Sequence, residues 1–168
     1  MKYETKKIAL TAFFIALGTI IPQVFHLFGM GAGATFLPMH IPVLLAGAML
    51  GGGYGLICGL ITPILSSLAT GMPPMVPVAL SMCIELATYG LIIGILVKRT
   101  HILVAYVIAM LSGRVVNGIL SALILSLNQS VFSLSAYLSS VFISALPGIL
   151  IQIILIPILY KTFKNRFD

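Results

Sequence analysis

"ILVAYVIAMLSGRVVNGILSALILSL", residues 102–127, is a long apolar run with one full charge, Arg114, near its middle. A charged side chain at the centre of a membrane helix costs at least ~2.5 kcal/mol, and more when nothing receives it. The run therefore poses two questions in sequence. The first is whether it lies in lipid at all, and the second is what the guanidinium meets there.

Composition answers the first. Of 168 residues, 60% are hydrophobic and 7% charged, and the mean hydropathy is +1.20. A soluble globule of this size leaves a large share of its chain in water and could not hide so much apolar surface. The solvent is lipid, and at roughly 20 apolar residues per span the chain has room for about six spans with short connections. The expected fold class is an all-α membrane protein, six transmembrane helices in one bundle, forming a single domain over residues 1–168. MKYETKKIALTAFF, residues 1–14, begins like a signal peptide, but its apolar run passes Gly18 without a small-residue cleavage site and reads as a retained first helix. Cys58 and Cys83 fall inside apolar runs and read as small hydrophobes rather than a disulfide. A formal charge of +6 would suggest nucleic acid for a soluble chain. No basic stripe is interleaved with exposed aromatics, so no nucleic-acid partner is expected.

Apolar segments stand at about 8–28, 36–51, 54–70, 76–97, 102–127 and 138–160. The second and third are short and carry Pro38, Pro42 and Pro63; Gly51 to Gly55 between them read as a tight turn. Broken helices at membrane depth are tolerated where protein or a watery cavity satisfies the freed backbone, which points to a cavity near spans two and three. Apart from Arg114, every Lys and Arg falls on one side: Lys2, Lys6 and Lys7, then Lys98 and Arg99, then Lys161, Lys164 and Arg166. The connections around 29–35, 71–75 and 128–137 have none. By the positive-inside rule both termini are cytoplasmic.

Within the spans, Glu85 and Arg114 are the two ionisable groups apart from histidines near the outer ends. They lie roughly 14 Å and 20 Å below the outer ends of their helices at the helical rise, about one turn apart. Two readings stay open, an Arg114–Glu85 pair locking spans four and five, or charges offered to a solute. Arg114, Asn117 and Ser121 share one face of span five, and Glu85 and Tyr89 one face of span four, with Ser81 a turn outward. Polar faces of this kind also serve simply as glue between helices. A carboxylate ligand would suit Arg114 because its planar fork matches two oxygens. His40, in FLPMHIPV, stands at the outer mouth of span two, where it either caps a loose helix or meets ligand. Tyr137 and Asn128 are placed to close a cavity from above or to act as interfacial belt residues. The histidines lack metal-ligand spacing, so no metal is expected, and no haem or iron–sulfur set or other cofactor motif is present. The chain has no phosphate loop of the G-x-x-x-x-G-K-[ST] type and no hydrolase motif, so it reads as a non-enzyme. Span one carries Ala12-x-x-x-Ala16, small residues that let another helix come close.

Those features resemble the substrate-binding S components of energy-coupling factor (ECF) vitamin transporters. The likeness covers nearly the whole chain, and its specific part is FLPMHIPVLLAGAMLGGGYGLICGLITPILSSLATGMPP, residues 36–74. It implies a subunit of a bacterial plasma membrane that captures a vitamin from outside, and a separate module of one membrane subunit and two ATPases that drives release. It implies docking on that membrane subunit through Ala12 and Ala16, and a vitamin site on the outer side of spans four to six under the loop between spans one and two. Glu85, Tyr89, Arg114, Asn117 and Gln152 fall in those regions, with His40 near the lid. The pantothenate branch is the most similar, and its carboxylate suits Arg114; a pyrimidine- or pyridoxine-type vitamin would use Glu85 and Asn117, and riboflavin would need more aromatics. The rival class is a self-sufficient channel or proton-coupled carrier built on Glu85 and His40.

Overall fold

The computed structural model describes residues 2–27, 29, 31–127, 129 and 131–167, with side chains from Glu4 to Lys164 apart from His26. Asn128, with the side chains of Lys2, His26 and Arg166, lies outside the described residues. The helices are α1 (Lys2–His26), α2 (Ala32–Phe36), α3 (His40–Leu50), α4 (Gly52–Thr70), α5 (Leu80–Leu96), α6 (Ile102–Leu127), α7 (Leu134–Leu138) and α8 (Leu146–Phe167). A π-helical turn, Met75–Ala79, leads into α5, and another, Ser139–Ser144, continues α7. Six segments among the described residues are long and apolar enough to cross a bilayer: Glu4–Phe25, Ala32–Leu50, Gly52–Thr70, Met75–Leu96, Ile102–Leu127 and Leu146–Lys164. The all-helical, multi-pass architecture expected from composition is what the chain adopts.

Two expected elements differ in detail. The second span is broken between Phe36 and His40, next to Pro38. Leu37 sits there in the left-handed region, φ 52°, where its amide closes α2 on Gly33 at 3.0 Å. A branched side chain at positive φ costs on the order of 1 kcal/mol or more and persists only when neighbours hold it. The Leu37 carbonyl is such an anchor, accepting the His40 amide at 3.1 Å and the Gln152 side-chain amide at 3.3 Å. The sixth span begins later than expected, at Leu146, because residues 134–144 form a separate helical segment that ends at Ala145.

The glycine cluster at 51–55 also works differently from a simple turn. Gly51 alone reverses the chain: at φ 108° its amide closes α3 on Gly47 at 3.0 Å, and its carbonyl accepts the Gly55 amide at 3.1 Å. Gly55 is already helical and is used for packing. A Cβ on it would stand 2.5 Å from both the Gly47 Cα and the Gly90 oxygen, and one on Gly90 would stand 2.3 Å from the Gly55 oxygen. Further along, a Cβ on Gly59 would meet the Ala87 nitrogen at 2.3 Å. So α3, α4 and α5 touch backbone to backbone. Lipid gives helices no hydrophobic reason to associate, and close approach supplies the dispersion contacts that hold them.

At the centre stands α3, packed against α1, α4, α5 and α8 and buried along nearly its whole length. The outer faces of α1, α4, α6 and α8 expose Phe13, Leu68, Val115, Ile119 and Ile154, as a surface bathed in hydrocarbon should. At one end the Tyr54 hydroxyl donates to Glu4, tying the start of α1 to the α3–α4 reversal. At the other end α2, α7 and the 71–79 connection surround a hollow.

Candidate functional site

That hollow is a cavity of about 610 Å³, within the usual range for small-molecule sites. Its walls come from every outer element. Leu37 to His40 form one side, Pro73, Pro77 and Val78 another, and Phe132, Tyr137 and Val141 the roof. Ser81, Met82 and Glu85 of α5 and Arg114, Asn117 and Ser121 of α6 form the floor. The surface is mostly apolar, and its two charged residues, Glu85 and Arg114, lie at that floor.

Glu85 is 5% exposed, and each of its oxygens accepts one hydrogen bond. The Tyr89 hydroxyl, one turn along α5, donates to Oε1, and the Asn117 amide donates to Oε2 from α6 at 2.8 Å. Ser121 donates to the Asn117 oxygen at 3.3 Å, which fixes the amide so that its NH2 faces the carboxylate. Tyr89 can lie between the helices because Gly113 is bare: a Cβ there would be 2.2 Å from the ring.

Arg114 is 4% exposed and engaged very little. Among the described residues its side chain makes no hydrogen bond and no ion pair, its Nε is buried without an acceptor, and its Cζ lies 5.5 Å from the centre of the Phe142 ring. The ring face offers a cation some attraction, about 0.5–2 kcal/mol, but no hydrogen-bond acceptor. Glu85 and Arg114 thus line one cavity without pairing, because the carboxylate is already held by two other donors. His40 contributes a second orphan, a buried Nδ1 with no partner, beside the Tyr89 ring at 5.4 Å between centroids. A guanidinium fork without an acceptor, at the floor of an apolar cavity, can receive a carboxylate or another small anion.

The roof is fastened to the same residue. The Tyr137 hydroxyl donates to the Arg114 carbonyl at 2.6 Å, and its ring rests over Gly118, where a Cβ would be 2.9 Å away. Burial, chiefly, pushes the Tyr137 phenol up to about 12, so it remains a neutral donor at any physiological pH.

A family model described as "ECF transporter, substrate-specific component" matches residues 6–160. The chain belongs to that family. No curated protein and no solved structure gave a significant match. Membership makes this substrate-specific component a multi-pass transport subunit rather than an enzyme, one that takes a small-molecule substrate and associates with an ECF module.

Of the residues singled out in the sequence, His40, Glu85, Arg114 and Asn117 come together on the cavity wall of this S component. Tyr89 and Gln152 stand behind it. Tyr89 reaches the cavity only through Glu85, and Gln152 is spent between the Leu37 carbonyl and the Tyr106 hydroxyl, each at 3.3 Å. Ala12 and Ala16 are both exposed on α1, whereas Gly18 turns inward onto Thr62, so closely that a Cβ would stand only 2.6 Å from the threonine methyl. Phe142, Gly113 and Gly118 were missed. The two glycines flank Arg114 at one residue before and one turn after, a signal that was present; Phe142 gave none. Among the described residues no three His, Cys, Asp or Glu side chains gather as a metal site, and Cys58 and Cys83 are separate buried thiols.

Proposed function

We propose that this S component captures a carboxylate-bearing vitamin, of the pantothenate type, in the 610 Å³ cavity and that Arg114 holds the carboxylate. The supporting observation is the unpartnered guanidinium on the cavity floor. Asn117, Glu85 and His40 face the rest of the ligand, Tyr89 sets the position of Glu85, and Gln152 sets the position of His40 through Leu37. A ring-type vitamin would have to recruit Glu85 and Asn117, whose hydrogen bonds are already committed to each other, Tyr89 and Ser121. Both termini face the cytoplasm of a bacterial cell, with the cavity outward, in keeping with the one-sided lysines. Docking goes through Ala12 and Ala16 onto a module of one membrane subunit and two ATPases, whose cycle tips the bundle so that the cavity opens inward.

Mass spectrometry of small molecules released from the purified chain tests the ligand. Pantothenate at near-stoichiometric amounts, lost in Arg114→Ala, is the expected result. A vitamin without an acidic group, retained by that variant, would refute the assignment. A self-sufficient carrier would instead show proton-driven flux in vesicles containing this chain alone.

A further inference from the structure

Charge is sparse on the wall of the 610 Å³ cavity. Among the described residues that line it, Arg114 and Glu85 are the charged ones, and they cancel. The sequence adds nothing nearby, since residues 8–97 and 100–160 contain no other Lys, Arg, Asp or Glu. Glu85 is close to Arg114: Asn117, which donates to it at 2.8 Å, lies one turn beyond Arg114 on α6. An anion on the guanidinium therefore sits near a fixed carboxylate, at a depth where water and salt screen little.

Neutral donors are few as well. Phosphate sites are built from Lys and Arg or from the free N–H groups of a helix start. Three long helices begin at the cavity end, and all open through prolines: Pro38 and Pro42 at α3, Pro73, Pro74 and Pro77 ahead of α5, and Pro147 at α8. Proline has no N–H to offer. The His40 amide is taken by the Leu37 carbonyl at 3.1 Å. Ser81 and Ser121 have given their protons to the Val78 carbonyl and to Asn117, at 3.0 Å and 3.3 Å.

We infer that the cavity accepts a singly charged carboxylic acid and rejects its phosphate esters, and that Glu85 sets this limit. The inference rests on the proposed capture of a carboxylate-bearing vitamin by Arg114 and narrows its substrate class. One carboxylate meets the guanidinium and leaves no ligand charge over. A phosphate ester brings up to about two further negative charges. Whichever of its ends takes Arg114, the other is left without a cation beside Glu85, and like charges so placed repel strongly.

Calorimetry on the purified full chain, at about pH 8 where an ordinary imidazole is neutral, tests this. The probes are pantothenate, pantothenate phosphorylated on its primary hydroxyl, and the isopropyl ether of that hydroxyl, which has similar bulk and no added charge. The phosphate should bind at least about 100-fold more weakly than pantothenate, equivalent to ~2.8 kcal/mol, and the ether within about tenfold. In Glu85→Gln the gap between phosphate and pantothenate should narrow by about tenfold. Both ligands meet the same variant, so its lower stability does not move that ratio. Should the variant not fold, the wild-type comparison of the probes decides. Phosphate binding within about tenfold of pantothenate, an equal loss for the ether, or an unchanged ratio in Glu85→Gln would overturn the inference and leave the vitamin assignment standing. Absence of pantothenate binding would bring down that assignment, and this inference with it.

Discussion

Arg114 and Glu85 show how two opposite charges can share a wall and have different tasks. Each oxygen of Glu85 already accepts a hydrogen bond from within the protein, whereas Arg114 has one buried nitrogen facing no acceptor. Arg114→Ala should therefore weaken vitamin binding at least about 30-fold, from ~2 kcal/mol or more lost when one member of a buried charge pair is removed. Its melting temperature in the absence of ligand should barely move; calorimetry and a thermal melt separate the two. Arg114→Lys should recover part of the affinity, since a point charge lacks the two-pronged fork. Glu85→Gln should behave in the opposite way. One of its two oxygens is replaced by a donor, so either the Tyr89 hydroxyl or the Asn117 amide loses its acceptor, a loss of about 1–3 kcal/mol that appears first as a lower melting temperature. The polar residues were legible because a charge or amide in an oily run stands out whatever the fold. Tyr137 and Phe142 are ordinary types for an outer loop, and their roles, over Gly118 and against the guanidinium, arise only when α7 folds back across α6.

Among the elements, the α3–α4–α5 seam carries the architecture. Gly90→Ala should place a methyl group 2.3 Å from the Gly55 oxygen, where backbone rather than a flexible side chain must move. A loss of about 1–3 kcal/mol from overpacking, or failure to recover folded protein, is the expected outcome. Gly53→Ala is the control: nothing lies within 4 Å of its added carbon, and alanine is the better helix former, so stability should hold or rise slightly. Span number followed from hydropathy and from the alternation of lysines, because those depend on the solvent alone. The function of Gly55 was obscured by its neighbours: a run of glycines suggests a turn, although Gly55-x-x-x-Gly59 and Gly90-x-x-x-Gly94 have the spacing of close helix contacts. The division of the last span at Ala145 had one marker, Pro147, which suits the first turn of a helix and not its interior, whereas Ser, Val, Phe, Ile and Ala at 139–145 are as acceptable in a continuous helix as in two.

For the whole molecule, the proposed transport cycle separates capture from delivery. The chain alone should bind its vitamin without nucleotide, while uptake into vesicles should require the ECF module and ATP. Ala12→Trp should leave binding within about twofold, because Ala12 is exposed on α1 far from the cavity wall, and should abolish uptake and partner pull-down. Retained uptake would remove Ala12 from the docking face. Enclosure of α3 by α1, α4, α5 and α8 bears also on how the chain is made. During synthesis α3 emerges before α5 and α8 exist, so its flanks first meet lipid tails, which accept its leucines and alanines as readily as the finished interior does. A nascent pillar can wait in the membrane without a chaperone to shield it, and later helices displace lipid rather than water as they assemble around it.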